Sequence, residues 1–353
     1  MFSDTHFHFH MLEESLQSRV LREMAVRDCF FGLDIGTHCD DLIFRQDGID
    51  KAIEKCAGIV SDDGAARETG IVSDESFKKS AEDLSNENLS GEKLKSKIKS
   101  FIRFSAGIWP APEAIRDRKK QIEILEKMIR GAGIASDDGT ESGAGITSDG
   151  CLKNDAGTAS DDGGANSTYK KVVAIGECGL DHHWNVSGAD GRAESDFDEA
   201  MFLGEREMFE AQLDMAKRMK LPVVVHSRDA FDGTLECIKN IGYDNGIIHC
   251  FSYGIDEARA FLERGWYLAF GGGVTYTKKS KMEAMMELLR FVPKERLLLE
   301  TDAPYLAPVP FRGTPNNPLL VEHSYKFIAE ARGVSVETLC ETVDGNIKNL
   351  FKF

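Results

Sequence analysis

Eight short apolar runs alternate with longer amphipathic stretches along this chain, and this alternation constrains its fold more than any other feature. Strands that alternate with helices are typical of parallel α/β proteins, because each crossover helix covers one face of the sheet. The runs predicted as strands cover residues 2–8, 29–35, 101–108, 172–177, 222–226, 246–249, 266–270 and 297–300. The first run is not followed by the glycine-rich phosphate loop that usually opens a doubly wound sheet. The pattern therefore predicts an α/β fold of the (β/α)₈ TIM-barrel type.

The stretches between these runs carry apolar residues at helical spacing, which predicts amphipathic helices that cover a barrel. The predicted helices include residues 13–27, 113–130, 201–219 and 281–291. Two further helices, near residues 317–332 and 335–350, are predicted at the end of the chain.

Two segments, residues 57–91 and 131–169, hold most of the formal net charge of −16. Both repeat a phrase rich in Gly, Ser and Asp, such as Gly-Ile-Val-Ser-Asp-Asp-Gly at 58–64. The spacing and terminal Glu of an EF-hand calcium loop are absent. Because this composition offers too little apolar surface to pack, we expect flexible acidic low-complexity insertions in two αβ loops, opposite the catalytic face of the barrel. The remainder has the size of one barrel, so a single domain over residues 1–353 is predicted.

The sequence contains no run of about 18 apolar residues that could span a membrane. Its N-terminus lacks the basic and apolar regions of a secretory signal. The eight cysteines contain no Cys-x-x-Cys pair and are expected to be free thiols in a reducing compartment. These features predict a cytoplasmic protein without membrane contact, and they indicate no obligate protein partner.

Metal-binding side chains stand at or just past five of the predicted strand ends. An ionisable residue that ends an apolar strand is costly unless it faces a solvated or metal-filled cavity, and barrel enzymes keep their active sites at these ends. The residues are His6, His8, Glu177, His226, His249 and Asp302. Each single histidine has an ordinary structural explanation, but five strand ends with this feature predict a metal site.

Four histidines and two carboxylates form a mixed nitrogen and oxygen donor set. Such a set suits Zn²⁺, Mn²⁺ or Fe²⁺ better than an all-oxygen Mg²⁺ shell, although availability in the cell often decides and Mg²⁺ stays open. Six ligands exceed the needs of one tetrahedral zinc ion. We therefore predict two divalent ions, of which Zn²⁺, Mn²⁺ and Mg²⁺ are the candidates.

Seven sequence blocks resemble the signatures of the TatD-like metal-dependent hydrolases. They include Ser-Asp-Thr-His-Phe-His, Gly-Glu-Cys-Gly-Leu-Asp and Glu-Thr-Asp-Ala-Pro-Tyr-Leu-Ala-Pro. The blocks cover residues 3–8, 176–181, 221–230, 248–252, 270–275, 300–308 and 312–318. They occur in family order and extend over nearly all of the chain outside the acidic segments, which makes the resemblance specific.

The resemblance implies a barrel of the amidohydrolase superfamily, whose nuclease members cut DNA exonucleolytically. It divides the six ligands between two ions that Glu177 bridges: His6, His8 and Asp302 for one ion, and His226 and His249 for the other. It further implies that Asp302 takes the proton of the attacking water, so Asp302 and Glu177 are the predicted catalytic residues.

The sequence departs from the family pattern at three places. Trp109 stands where the family usually has the His of Gly-x-His-Pro, which removes a polar group from the mouth. His10 replaces an acidic residue that commonly follows the His-x-His pair. His182 and His183 occupy positions that are often aromatic. Because the six metal ligands are all present, the departures predict a change in substrate range or rate rather than an inactive relative.

Two arginines near the predicted mouth are candidate substrate-binding residues. Arg228 follows His226, and Arg312 lies after the last strand. Arginine matches phosphate oxygens with a bidentate fork, although an ordinary salt bridge explains each residue equally well. Asp181 is a candidate to orient a ligand histidine from behind.

These observations leave three functions open. The leading hypothesis is a metal-dependent deoxyribonuclease, with DNA as substrate. The alternative enzyme hydrolyses an amide, ester or lactone in a small molecule, because the same activated water can attack a carbonyl carbon. The third is a binding protein that recruits a partner through the acidic repeats.

Overall fold

The computed structural model describes residues 2–58, 91–134, 169–183 and 192–353. Eight strands form one sheet in chain order, and all neighbouring strands in that order are parallel. The strands are β1 (Asp4–Phe7), β2 (Gly32–Asp34), β3 (Ile102–Ala106), β4 (Val172–Asp181), β5 (Val223–Arg228), β6 (Gly246–Ile248), β7 (Tyr267–Phe270) and β8 (Leu297–Leu299). Each of the eight lies in or overlaps a predicted apolar run.

The sheet closes between its first and last strands. Phe7 of β1 forms a parallel bridge with Ala303, just past β8. The amide of Asp302 donates to the carbonyl of His6 at 2.9 Å, and the amide of His8 donates to the carbonyl of Ala303 at 2.8 Å. The fold is thus the predicted (β/α)₈ barrel, and its closing hydrogen bonds bring two of the predicted ligand positions together.

Helices cover the outside of this barrel. Those within the described ranges are α1 (Glu14–Val26), α2 (Leu42–Gly58), α3 (Gly91–Phe101), α4 (Pro112–Arg116), α5 (Arg118–Ala132), α6 (Glu199–Met219), α7 (Phe231–Ile241), α8 (Ile255–Glu263), α9 (Lys279–Phe291), α10 (Val321–Arg332) and α11 (Val336–Phe351). The helix predicted over residues 113–130 is in fact two, because Asp117 has non-helical dihedral angles between α4 and α5. None of these helices is both long and apolar enough to cross a membrane.

The core explains why the apolar runs form strands. Nearly every strand residue is buried, since the barrel interior fills one face and the helices cover the other. The largest fully buried side chain is Trp266, beside β7. Buried polar side chains at or just past the strand ends include His8, His249 and Thr301.

Most of the predicted acidic insertions, 57–91 and 131–169, lie outside the described residues. At the described edges, residues 57–58 end α2 and Gly91 begins α3. Helix α3, which was not among the predicted helices, stands between the first acidic segment and β3. Ile134 makes a bridge with Val172 of β4, so the second segment connects a helix to a strand. That these segments are flexible insertions in a single domain stays a prediction.

Candidate metal centre

The ends of five strands bring all six predicted ligands to one face of the barrel. His6 lies in β1, Glu177 in β4 and His226 in β5. The other three residues follow strands directly: His8 follows β1, His249 follows β6 and Asp302 lies shortly after β8. His6 and His8 reach the same side because alternate residues of an extended chain share a face.

One cluster of donor atoms forms around the two histidines of β1. The Nε2 atoms of His6 and His8 lie 3.3 Å apart. Oε2 of Glu177 lies 3.4 Å from the first nitrogen and 3.7 Å from the second. Oδ1 of Asp302 lies 3.6 Å from each of the two nitrogens. Two nitrogens and two carboxylate oxygens therefore converge on one point.

A second cluster forms on the other oxygen of the same glutamate. Oε1 of Glu177 lies 2.9 Å from Nδ1 of His226 and 3.0 Å from Nε2 of His249. The two histidine nitrogens are 3.3 Å apart. The carboxylate of Glu177 thus stands between two pairs of histidines and presents one oxygen to each pair.

The donor set fits a divalent metal ion. His6, His8 and Glu177 form one group that could hold an ion, and Glu177, His226 and His249 form another. Imidazole nitrogens and carboxylate oxygens are ligands for zinc, manganese and iron. Four of the six side chains are more than nine-tenths buried and the other two are 15% exposed, so unpaired charge here is costly. A charge-neutralising cation is consistent with the burial of so many titratable groups in one place.

The carboxylates of the centre are held ionised. Burial alone would raise the pKa of Glu177, but the charge of His249 and hydrogen bonds from His226, His249 and His6 outweigh it, and the pKa lies well below its usual value. Burial likewise opposes ionisation of Asp302, yet the hydrogen bond from His8 and the nearby imidazoles lower its pKa. Both groups are therefore available as anionic ligands.

The pKa values of the histidines shift in different directions, although burial lowers the pKa of each ring. Burial lowers the pKa of His6, and the neighbouring His249 adds to this effect. Burial also disfavours the charged form of His226 and His249, but Glu177 and a second carboxylate beside each ring outweigh it and raise their pKa values. Because these neighbours favour the protonated forms of the two rings, a metal ion at the second cluster would compete with protons.

A further carboxylate lies beside the nitrogen of His226 and of His249 that does not face Glu177. Oδ2 of Asp181 lies 3.0 Å from Nε2 of His226, the nitrogen that faces away from Glu177. This is the contact predicted for Asp181. Oε1 of Glu300 lies 3.5 Å from Nδ1 of His249, an ion-pair distance rather than a hydrogen bond. Such carboxylate–histidine pairs fix the tautomer and the orientation of a metal-bound imidazole.

Glu300 also belongs to a third group of possible ligands, with His6 and His249. Its side chain is fully buried, and Oε1 accepts a hydrogen bond from the amide of Cys250 at 2.5 Å. Because Glu300 faces the rear nitrogen of His249, its contacts fit a supporting carboxylate better than a ligand. The sequence analysis assigned it no role, although it precedes Asp302 by two residues in a recognised block.

A further buried carboxylate joins the first and last strands beneath the centre. Asp4 accepts hydrogen bonds from the hydroxyl of Thr301 at 2.6 Å, from the amide of Thr301 at 3.0 Å and from the amide of His6 at 3.1 Å. Burial raises the pKa of Asp4 to about 8. These bonds fix the backbone on both sides of the cluster, since Thr301 precedes Asp302. The sequence analysis also missed Asp4, whose only signal was its place before His6.

Two glycines allow β4 to deliver Glu177. Gly176 has φ of +134°, and a Cβ there would lie 2.5 Å from the carbonyl oxygen of Val224. Gly179 has φ of +151° and also approaches the backbone of β5 too closely for a side chain. Only glycine adopts such angles without strain, so the Gly-Glu-Cys-Gly sequence lets the strand lie directly against its neighbour.

The predicted substrate-binding arginines lie at the same mouth. Arg228 is the last residue of β5, is exposed, and has no ion-pair partner within the described ranges. Arg312 lies in the connection after β8, and its guanidinium carbon stands 4.6 Å from the ring centre of Tyr276. Neither arginine touches the six central side chains. Within the described ranges, neither guanidinium group takes part in a salt bridge.

Of the residues that depart from the family pattern, Trp109 lies next to the second cluster. The ring of Trp109 is half-buried and lies 5.8 Å from the ring of His226, edge to face. The Arg192 guanidinium stands 5.1 Å from the centre of the Trp109 ring. His182 pairs with the buried Glu205 at 3.0 Å, and His183 pairs with Asp229 at 2.7 Å. His182 and His183 are therefore engaged with carboxylates outside the six-residue centre.

Glu205 and Arg192 brace Asp181 in turn. Glu205 accepts a hydrogen bond from the amide of Asp181 at 2.9 Å. Arg192 donates to the carbonyl of Asp181 and, at 2.6 Å, to the carbonyl of Pro110. Glu205 and Arg192, which lie outside the centre, therefore fix the position of Asp181, and Asp181 in turn contacts His226. Sequence reasoning could not find these contacts, because the residues lie far apart along the chain.

The sequence is similar to those of known metal-dependent hydrolases. The sequence model of the family described as TatD related DNase matches residues 149–352. A protein of Bacillus subtilis named "Uncharacterized metal-dependent hydrolase YabD" is 37% identical over 188 residues, which are 53% of this chain and 68% of that protein. A Pantoea ananatis protein named "3'-5' ssDNA/RNA exonuclease TatD" is also 37% identical over 188 residues, covering 52% of this chain and 66% of that one. These alignments span about two thirds of each relative.

The fold is also similar to a solved structure. The crystal structure of YJJV, a TatD homologue from Escherichia coli K12, superimposes with a TM-score of 0.62 over 100% of this chain and 98% of the other. At 20% sequence identity, this likeness supports the barrel fold and nothing finer. Because the family model matches more than half of the chain, the protein belongs to the TatD related DNase family of metal-dependent hydrolases.

Proposed function

We propose that this protein is a deoxyribonuclease that hydrolyses phosphodiester bonds at a centre of two divalent metal ions. The observation that carries the proposal is the carboxylate of Glu177, which presents one oxygen to each of two histidine pairs. This geometry supports a glutamate that bridges two ions. The assignment gives His6, His8 and Asp302 to one ion and gives His226 and His249 to the other.

Two ions held by these residues would be Zn²⁺, Mn²⁺ or Mg²⁺, and they would supply Lewis acidity that lowers the pKa of water and offsets phosphate charge. The chain's own residues supply orientation and proton transfer. Asp302 is ionised, and its side chain is 15% exposed against 5% for Glu177. The more open carboxylate is the one that an attacking water can reach, so Asp302 is the proposed general base.

Substrate recognition is assigned to the two arginines of the mouth. A guanidinium group without an ion-pair partner can bind two phosphate oxygens at once. Arg228 ends β5, and Arg312 lies in the connection after β8. They would hold the phosphodiester on both sides while the buried Asp181 keeps His226 in position. The printed name of the Pantoea relative also favours a nucleic-acid substrate.

The decisive experiment is hydrolysis of single- and double-stranded DNA by metal-replete protein, with Asp302→Asn as the comparison. We expect the wild type to cut DNA and the variant to bind DNA but to cut it about 10²–10⁴ times more slowly, the usual loss when a general base is removed. Wild-type turnover by the variant with metal bound would contradict the base assignment. An intact DNA substrate with wild type in Mg²⁺, Mn²⁺ and Zn²⁺ would contradict the proposed function.

The second candidate function is hydrolysis of a small ester, amide or lactone. The half-buried Trp109 ring beside His226 favours it, because it makes one side of the mouth apolar. The same centre could then direct water to a carbonyl carbon. A panel of p-nitrophenyl esters and lactones, assayed beside the DNA substrates, distinguishes the two functions by which class is turned over.

A further inference from the structure

Large apolar side chains are exposed on the segments that follow three of the strands, on one side of the metal centre. Phe44 is 66% exposed, Tyr305 is 53% exposed and Met11 is 37% exposed. Ile43 and Leu306, next to them in sequence, are also exposed. These five residues, here called the apolar rim, follow β1, β2 and β8. Single exposed apolar residues are ordinary, but a contiguous group of this kind marks an interaction site.

Two side-chain contacts relate members of the apolar rim to the segment that follows β1. The hydroxyl of Tyr305 lies 3.6 Å from the sulfur of Met11. The ring of His10, the residue before Met11, lies 6.1 Å from the ring of Phe44, and the two ring planes meet at 77°. The neighbouring residues His10 and Met11 thus place the rim residues of the connection after β8 and of the start of α2 on either side of one short segment.

The rim is also continuous with the metal centre. The ring of Tyr305 lies 6.2 Å from the ring of His8, one of the six central residues. Any group that covers Tyr305 therefore lies at the mouth of the barrel. A protein partner seated there would block access to the centre, whereas part of a bound substrate would not.

The aromatic residues of the rim are held in place by buried contacts. Next to Phe44, the fully buried Arg45 donates to the carboxylates of Asp34 at 2.6 Å and Asp41 at 2.9 Å. On the other side, the amide of Tyr305 donates to the carbonyl of Asp302 at 2.8 Å. Rings presented from such fixed backbone lose little conformational entropy when a ligand binds.

We propose that the apolar rim binds the unpaired bases of the nucleic-acid strand whose phosphodiester is cut. This inference rests on the proposed deoxyribonuclease function and adds to it a base-binding surface formed by Phe44, Tyr305 and Met11. Bases are flat apolar groups, and they stack on aromatic side chains without regard to sequence. In a strand bound by phosphate at the centre and the arginines, neighbouring bases can lie on the rim. Bases inside a duplex are already stacked and are not available to it.

The test compares two fluorescent single-stranded oligonucleotides of equal length, one of thymidine and one in which abasic residues replace every thymidine. Both carry the same phosphates, so only base contacts differ. Binding is measured by fluorescence anisotropy for wild type, Phe44→Ala, Phe44→Leu and Val334→Ala, the last being an exposed apolar residue after α10. Phe44→Leu keeps apolar surface without a ring.

The rim proposal expects Phe44→Ala to weaken binding of the thymidine strand by about 5- to 150-fold, the usual loss for one base–aromatic stack, and to leave binding of the abasic strand within about twofold. Phe44→Leu should show most of the same loss, and Val334→Ala should bind both strands as wild type does. Equal losses for the two strands, or no loss for either, would overturn the proposal.

Hydrolysis of the same strands separates this inference from the proposed function. If wild type binds the thymidine strand through Phe44 but cuts neither strand in any of the three metals, the deoxyribonuclease proposal fails and the base-binding surface stands. If wild type cuts DNA and Phe44→Ala binds both strands as wild type does, the function stands and the rim proposal fails.

Discussion

The pair formed by Asp181 and His226 gives a sharp test of how the centre is supported. In the native protein, Nε2 of His226 lies 3.0 Å from the carboxylate of Asp181. In Asp181→Asn the side-chain oxygen can still face this nitrogen, but the negative charge is lost. The pair is largely buried, with side-chain exposures of 6% and 15%, so solvent screens the lost charge only weakly. Removal of a carboxylate behind a metal-bound histidine typically costs 10- to 100-fold in metal affinity, or about 1.4–2.7 kcal/mol.

The assay is a competitive titration of metal-free protein with a chelator of known affinity, followed by calorimetry. We expect Asp181→Asn to weaken one of two metal-binding events by about 10- to 100-fold and to leave the other unchanged, because Asp181 touches only the second histidine pair. The matched control is Asp229→Asn, which makes the same substitution in an exposed pair with His183, outside the centre. Unchanged binding in Asp181→Asn, or an equal loss in Asp229→Asn, would refute the reasoning.

Two more predictions concern protons and phosphate. Because the pKa values of His226 and His249 are raised in the metal-free protein, the stability that their protonated forms contribute is present below the unfolded pKa of about 6.5 and is lost as pH rises through the folded values. A metal ion competes with these protons, so the increase in Tm on metal binding should become larger from about pH 6 to about pH 8. Calorimetry with and without metal measures this increase, and an increase that is constant with pH would contradict the prediction. Arg228→Ala should weaken binding of single-stranded DNA and reduce the slope of log K against log salt by about 0.7, as expected for one lost phosphate contact; an unchanged slope would remove Arg228 from the interface.

Sequence reasoning predicted the barrel and the six central residues because both leave local signals. Each buried strand of a parallel barrel is a short apolar run, and a histidine or carboxylate at its end breaks that pattern visibly. The prediction of one continuous helix over residues 113–130 was wrong, because the helix is interrupted at Asp117. The helical spacing of apolar residues continues across this single non-helical residue and does not reveal the break. Helix α3 was missed because it directly adjoins an acidic segment with no apolar periodicity.

The supporting contacts could not be predicted, because they join residues distant in sequence. Asp4 bonds Thr301 across the barrel closure, and Glu205 of α6 reaches the backbone of Asp181 in β4. Nothing in the sequence around any of these residues distinguishes a buried, bonded carboxylate from an exposed one. Their roles follow only from the closed barrel, which brings the strand ends together.

The central claim, that Glu177 joins two metal sites, is tested most directly by counting metal ions. Native mass spectrometry of metal-replete protein, checked by elemental analysis, should find close to two ions per chain in wild type. The variant with both His226→Ala and His249→Ala should retain about one ion, while the control with His38→Ala and His183→Ala, which changes histidines outside the centre, should retain two. One ion in wild type, or two in the variant without His226 and His249, would contradict the account.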